Sequence, residues 1–194
     1  MSFYTLEKRK QDTKQQTKEE KEIARYKKLC EKIKKENPWK EIDFILDMQP
    51  EPYARPRKSR KLEAMGKTNP FYNPREKYKR KLHKEIEKKL EELDPNFQLI
   101  NGEVILKIEV GLVSPKKYTD SKTKWKLVLD RIINPMVRPD IDNWAKPIMD
   151  VLNKLVYEDD GQITTLIATK VYSNLDHPYI HVWLRYRDKP ITLR

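Results

Sequence analysis

Apolar residues occupy every second position from Val104 to Leu112, and this stretch constrains the fold more than any other. Side chains of an extended backbone alternate between two faces, so the pattern predicts a strand with one buried face. A half-buried strand belongs to a sheet that other elements cover on that face. The rest of the sequence must therefore supply partner strands and covering helices.

Two segments have the helical spacing that is needed to cover such a sheet. The apolar residues of the first are Tyr78, Leu82, Ile86, Leu90 and Leu93. Those of the second are Ile141, Trp144, Ala145, Ile148, Met149, Leu152 and Leu155. We expect both stripes to face the core.

Three further stretches predict strands. Residues 42–48 would form the first strand of the domain, while residues 162–172 and 179–186 are rich in β-branched or alternating apolar residues. We expect the last two strands to pair as a hairpin around residues 174–178. The order strand, helix, strand, helix, strand, strand predicts an α/β or α+β domain with a single mixed β-sheet and helices packed on one face.

The N-terminal segment differs from this domain. Residues 7–35 are rich in Lys, Glu and Gln and contain no Pro or Gly, which favours a helix. Its sparse apolar residues predict either a short coiled-coil seam or a solvated helix. We therefore predict a basic helical extension over residues 1–41 and a domain over residues 42–194.

A short acidic segment precedes the second helical stripe. Asp140 and Asp142 are separated by one residue, and Lys146 follows four positions later. Pro139 favours an extended entry, on which the two carboxylates would point to one side. Carboxylates held close together repel each other unless a cation intervenes, and such hard oxygen ligands favour Mg²⁺ or Mn²⁺. An N-cap and a turn are the alternative role for the same aspartates.

Pro147 constrains where this helix begins. A proline in a helix interior removes a hydrogen bond, so we expect a helix that starts near Lys146, with a kinked helix from near Asp142 as the alternative. A second acidic cluster at residues 158–160 follows the helix. A helix linking two strands would bring both acidic ends to one region. Such a site suits phosphodiester hydrolysis, with Lys146 opposing the developing negative charge.

The net charge of +12 indicates a polyanionic partner. Lysine and arginine release condensed counterions when they neutralise phosphates, so we expect nucleic acid. No apolar run suggests a membrane span or a signal peptide, and we therefore expect a cytoplasmic protein with no membrane partner. Cys30 is the single cysteine, which excludes disulfide scaffolds and thiolate zinc sites within one chain.

A proline-rich basic arm follows the first predicted strand, over residues 50–61. Its prolines favour an extended backbone, and arginine can grip phosphate with two parallel hydrogen bonds. We predict that the arm contacts DNA, with a solvated basic loop as the alternative. The predicted DNA-binding residues are Arg55, Arg57, Lys58, Arg60, Lys61 and Arg138.

The segment from Arg138 to Gln162 resembles the RusA family of Holliday-junction resolvases. The residues that carry the resemblance are Arg138-Pro139-Asp140-Ile141-Asp142-Asn143 with Lys146, Met149-Asp150 with Leu152-Asn153, and Val156-Tyr157-Glu158-Asp159-Asp160 with Gln162. It extends loosely upstream to the arm and to the first strand.

The resemblance implies a RusA-like fold and a homodimeric, Mg²⁺-dependent endonuclease that places paired nicks in four-way DNA junctions. It implies that Asp140, Asp142 and Asp160 are catalytic and metal-binding, and that Lys146 is the catalytic lysine. Asp159 is a neighbour whose role the resemblance leaves open.

Three features depart from the family pattern, namely Trp144, the basic extension and the long loop before Pro135. They bear on junction selectivity and leave the implied chemistry intact. Two other functions stay open: a noncatalytic DNA-binding module, and a metal nuclease that acts on flaps or RNA.

Overall fold

A computed structural model describes residues 3–66 and 71–191, with side chains from residue 19 onward. The chain forms two compact units, the N-terminal segment up to Trp39 and the segment Lys40–Pro190. The first unit is dominated by helix α1 (Phe3–Glu36). The described side chains of α1 are exposed, apart from Cys30 and Ile33, which are half-buried. The predicted N-terminal helix is therefore confirmed, and most of its described side chains face solvent in the single chain.

The second unit contains a four-stranded sheet, a two-stranded ladder and five helices among its described residues. The strands are β1 (Lys40–Leu46), β2 (Arg57–Lys58), β3 (Phe71–Tyr72), β4 (Val104–Leu112), β5 (Ile163–Tyr172) and β6 (Tyr179–Tyr186). The helices are α2 (Arg60–Ala64), α3 (Glu76–Leu93), α4 (Lys116–Thr119), α5 (Lys122–Leu129) and α6 (Ile141–Leu152).

The four-stranded sheet has the order β1-β6-β4-β5 and is mixed. Strand β4 pairs in parallel with β5 and antiparallel with β6, which in turn pairs antiparallel with β1. The predicted fold class, a single mixed sheet with packed helices, is confirmed. The predicted hairpin of β5 and β6 is wrong, because β4 lies between them. The alternating pattern showed that both segments are strands, but such a pattern does not specify which neighbour each strand pairs with.

Helices α3 and α6 pack together on one face of the sheet. Their stripes pack into the core as predicted, with two exceptions at helix ends: Leu93, the last residue of α3, is 53% exposed, and Ile141, the first residue of α6, is 36% exposed. The opposite face is also partly covered. Val128 of α5 and Tyr179 of β6 are buried there, outside the main core. Gly111 of β4 has no side chain because a Cβ at this position would overlap the Tyr179 ring.

The basic arm is irregular up to Pro56 and then becomes regular. Strands β2 and β3 pair antiparallel, with Arg57 opposite Tyr72. Helix α2 follows, and the Ser59 side chain caps it by accepting a hydrogen bond from the Leu62 backbone. The prediction of one extended arm is therefore wrong only at its end, where α2 begins at Arg60. A serine N-cap before a short helical run is a signal that the proline pattern obscured.

Candidate functional site

The acidic pair lies at the N-terminal end of α6. Asp140 is the N-cap residue with an extended backbone, Asp142 lies in the first turn, and both are exposed. The Asp140 side chain makes no capping hydrogen bond, whereas Ser59 and Ser121 do so before α2 and α5. The Asp140 carboxylate is thus not engaged in the structural role that aspartate usually has at this position.

Helix α6 begins at Ile141 and contains Pro147 in its interior. The expected start near Lys146 is therefore wrong, and the longer helix that was the alternative is correct. Asp140 and Asp142 consequently do not share an extended backbone, because the second of them is already helical. Both carboxylates lie at the positive end of the helix dipole.

The backbone that leads into Asp140 is held by two side chains. The Pro139 carbonyl accepts a hydrogen bond from Trp144 Nε1–H at 3.1 Å and another from Lys170 Nζ at 3.0 Å. Lys170 Nζ also donates to the Val137 carbonyl at 2.5 Å. Strand β5 therefore fixes the entry to the acidic pair. Trp144 departs from the family pattern, and it has a structural role here, because its indole N–H holds the Pro139 carbonyl.

Lys146 is exposed on α6, and its charged end lies beside a side chain of the arm. Its Nζ atom lies 4.6 Å from the centroid of the Tyr53 ring, which is a cation–π geometry. The Tyr53 backbone N–H donates to the Asn143 carbonyl at 2.6 Å. Tyr53 was not among the predicted site residues, since the contact joins residues far apart in the chain. Pro147 was the available signal, because it leaves a carbonyl on α6 without its helical donor.

Asp160 lies in a short 3₁₀ turn, Asp160–Gln162, after α6. The preceding Asp159 caps this turn by accepting from the Gly161 backbone N–H at 3.2 Å. Burial raises the pKa of Tyr157, and the charge of the nearby Asp160 carboxylate raises it further. The Tyr157 phenol donates its proton to the Met149 carbonyl at 3.2 Å. A protonated tyrosine bonded to the last turns of α6 therefore lies near Asp160.

Within the described ranges, no three His, Cys, Asp or Glu side chains form a group that could hold a metal ion. The three predicted aspartates are thus not gathered into one ligand set. Asp140 and Asp142 lie at one end of α6. Tyr157, which lies near Asp160, donates to Met149, two turns or about 10 Å further along the helix. Mg²⁺ is commonly held by one or two carboxylates together with waters and substrate phosphates, so the exposed pair alone has a suitable donor set.

The predicted DNA-binding residues are all exposed, which is consistent with a surface that meets a large polyanion. Lys58 forms an ion pair with Glu63 at 2.6 Å, half-exposed on both sides. Glu51, near the start of the arm, forms a second pair with Arg75, the residue before α3, at 2.5 Å. The arm is therefore fixed to α3 by Glu51 and to α6 by Tyr53, while its arginines face solvent.

Two comparisons with known proteins bear on this site. The model of the family described as Endodeoxyribonuclease RusA matches residues 47–185. Uncharacterized protein YqaN of Bacillus subtilis is 34% identical over 87 residues, which are 45% of this chain and 60% of that protein. The family match contains the acidic pair, Lys146, Asp160 and the arm. None of the helices in the described part of the chain is both long enough and apolar enough to span a bilayer.

Proposed function

The chain belongs to the RusA endodeoxyribonuclease family, and from that premise we propose that it is a Mg²⁺-dependent resolvase of four-way DNA junctions. It would act in the cytoplasm, in DNA recombination and repair. The observation that carries this proposal is the acidic pair of α6. Asp140 occupies an N-cap position without using its carboxylate as a cap, so both of its oxygens are available to a ligand.

Each site residue has a proposed role in phosphodiester hydrolysis. Asp140 and Asp142 would hold the cation, and Asp160, which the described structure does not group with them, would become a third protein ligand only when cation and DNA are bound. When bound, Mg²⁺ or Mn²⁺ would supply charge neutralisation at the phosphate and activation of water. Lys146 presents an ammonium group to the oxygen that leaves phosphorus. Because Lys carries a point charge on a flexible stem, its placement matters for this role.

DNA is bound by the arm and by Arg138 in this proposal. The exposed arginines contact phosphates on either side of the cleaved bond, and they lie on the segment that contacts Lys146 through Tyr53. A four-way junction offers two equivalent strands, so a two-fold symmetric homodimer would present one site to each. Paired symmetric nicks would follow from that symmetry.

The decisive test is incubation of a labelled four-way junction with the protein, with and without Mg²⁺. We expect symmetric nicks that depend on the metal, and less product from flap, RNA and linear duplex substrates in the same conditions. Asp140→Asn and Asp142→Asn should each lower cleavage on the order of 100-fold or more, because the charge that holds the cation is removed. Junction binding should be unchanged or tighter, since less negative charge faces the phosphates.

Each alternative function predicts a different outcome of this assay. A noncatalytic DNA-binding module would bind the junction and release no product at any Mg²⁺ concentration. A flap or RNA nuclease would cleave those substrates faster than the junction. Full cleavage by both aspartate variants would remove the acidic pair from the proposed site.

A further inference from the structure

The interior proline of α6 creates an acceptor that a regular helix would not have. In an α-helix the Asn143 carbonyl accepts from the backbone N–H of residue 147. Pro147 has no N–H, so this carbonyl lacks its helical donor. Pro147 itself is buried in the helix stripe, among residues that pack against the sheet. The proline is therefore accommodated by the core, and the consequence of its missing N–H appears one turn earlier on the helix.

The basic arm supplies the missing donor. The Tyr53 backbone N–H donates to the Asn143 carbonyl at 2.6 Å, although the two residues are far apart in the chain. Pro52 precedes Tyr53 and restricts the arm's backbone, which reduces the entropy that docking costs. The hydrogen bond satisfies the carbonyl and fixes Tyr53 relative to α6.

Docking through this hydrogen bond places the Tyr53 ring beside Lys146. The Lys146 Nζ atom lies 4.6 Å from the ring centroid, within cation–π range. Lys146 is otherwise exposed, and a lysine side chain in solvent samples many rotamers. The half-buried ring restricts that sampling and holds the ammonium group on the side of α6 where the arm docks.

We propose that Tyr53 is a positioning residue that holds the Lys146 ammonium for the reaction, and that Pro147 makes this possible by leaving the Asn143 carbonyl to the arm. The catalytic purpose of the contact rests on the proposed function, whereas the contact itself does not. Because the arm also carries the predicted DNA-binding arginines, the placement of Lys146 depends on the segment that binds substrate.

The test compares Tyr53→Leu with the conservative Tyr53→Phe, which keeps the ring. The matched control is Tyr118→Leu, because Lys117 Nζ lies 4.8 Å from the Tyr118 ring in a second lysine–tyrosine pair. The first measurement is the NMR shift of the Lys146 ε-methylene protons in the full chain, assigned by its disappearance in Lys146→Gln. We expect a ring-current shift in the native protein, in Tyr53→Phe and in Tyr118→Leu, and no such shift in Tyr53→Leu.

The second measurement is Mg²⁺-dependent junction cleavage by the same variants. Tyr53→Leu should lower kcat by about 10-fold and change KM by less than about 2-fold, since an unpositioned ammonium still permits binding. Tyr53→Phe should restore kcat, and Tyr118→Leu should leave it unchanged. Pro147→Ala supplies a helical N–H that competes with Tyr53 for the Asn143 carbonyl. In this variant the shift of the Lys146 ε-methylene protons should therefore move toward the value in Tyr53→Leu.

The outcomes separate this inference from the proposed function. A native Lys146 signal without a ring-current shift would overturn the Tyr53 contact, whatever the activity. A native-like shift in Pro147→Ala would overturn the role of the freed carbonyl. Unchanged kcat in Tyr53→Leu, or an effect confined to KM, would overturn positioning while leaving the nuclease assignment intact. Absence of cleavage by the native protein would overturn the proposed function and, with it, the catalytic purpose of the contact.

Discussion

Asp159 and Asp160 are adjacent in the chain, yet their carboxylates have different partners. Asp159 caps the 3₁₀ turn, and the Gln162 side chain completes a capping box by accepting from the Asp159 backbone N–H at 2.7 Å. Asp160 instead interacts with the buried Tyr157 phenol. This turn therefore contains a capping residue, Asp159, and the residue that we propose as a metal ligand, Asp160. The family resemblance separated the two residues, whereas spacing alone fits both to the same acidic cluster.

This division predicts different results for two identical substitutions. Asp160→Asn should lower junction cleavage on the order of 100-fold, because it removes a proposed ligand charge. Asp159→Asn should leave cleavage within about 2-fold of native, since Asn caps helices as well as Asp does. Single-turnover cleavage at saturating protein measures both. Equal reductions in the two variants would contradict the assignment of Asp160.

At the scale of elements, the local patterns predicted what each segment becomes but not what it contacts. The alternation in β4 and the helical spacing in α3 and α6 were sufficient, because burial of one face is encoded by residues close in sequence. Other contacts depend on residues that are distant in sequence, which no local pattern encodes. They are the pairing of β5 with β4, the contact of Tyr53 with α6, and the hydrogen bonds of Lys170 to the backbone before Asp140. The acidic pair and Lys146 were predicted from spacing; the residues that position them were not.

One buried long-range cluster joins β4, β6 and the segment after α5. Glu109 of β4 is buried and accepts hydrogen bonds from both terminal nitrogens of Arg131, after α5, at 2.6 and 2.9 Å. It also accepts from the Tyr179 phenol of β6 at 2.8 Å. Burial alone would raise the pKa of Glu109, but the hydrogen bonds from Arg131 and Tyr179 outweigh it and hold the pKa below its usual value.

Glu109→Gln should lower the free energy of unfolding at pH 7 by about 1–3 kcal/mol, because charged hydrogen bonds are removed while Tyr179 and Arg131 stay in place. A carboxyl group whose pKa is lower in the folded protein than in the unfolded chain stabilises the fold at pH values above its unfolded pKa, near 4.3. This contribution is lost as the pH falls through the folded-state pKa. The difference between native and variant should therefore shrink from pH 7 toward pH 3. Urea unfolding at several pH values tests this, with the exposed Glu91→Gln as control. A difference that is independent of pH would contradict the charge-based account.

At the scale of the whole molecule, positive charge is concentrated in two places. Residues 1–39 contain twelve basic and seven acidic residues, so they contribute +5 of the net +12. The arm carries five basic residues and no acidic one between Arg55 and Lys61. The extension is a long helix whose described side chains are mostly exposed, whereas the arm is fixed to α3 and α6. A fixed charge can distinguish DNA shapes, while a solvated charged helix attracts any duplex.

Two double variants with equal charge change separate these roles. Arg55→Gln/Arg57→Gln in the arm should weaken junction binding more than linear-duplex binding, because fixed arginines meet strands placed by the branch. Lys27→Gln/Lys28→Gln in α1 should weaken both to the same degree. In each double variant, the magnitude of the slope of log affinity against log salt should decrease by at most about 1.8, which is 0.9 for each phosphate that the variant no longer neutralises. Binding titrations of both DNAs at several salt concentrations give these slopes for each variant and for the native protein. If the arm variant kept the native ratio of junction to duplex affinity, the arm would be a nonspecific electrostatic element, and junction selectivity would have to arise from the geometry of the paired sites.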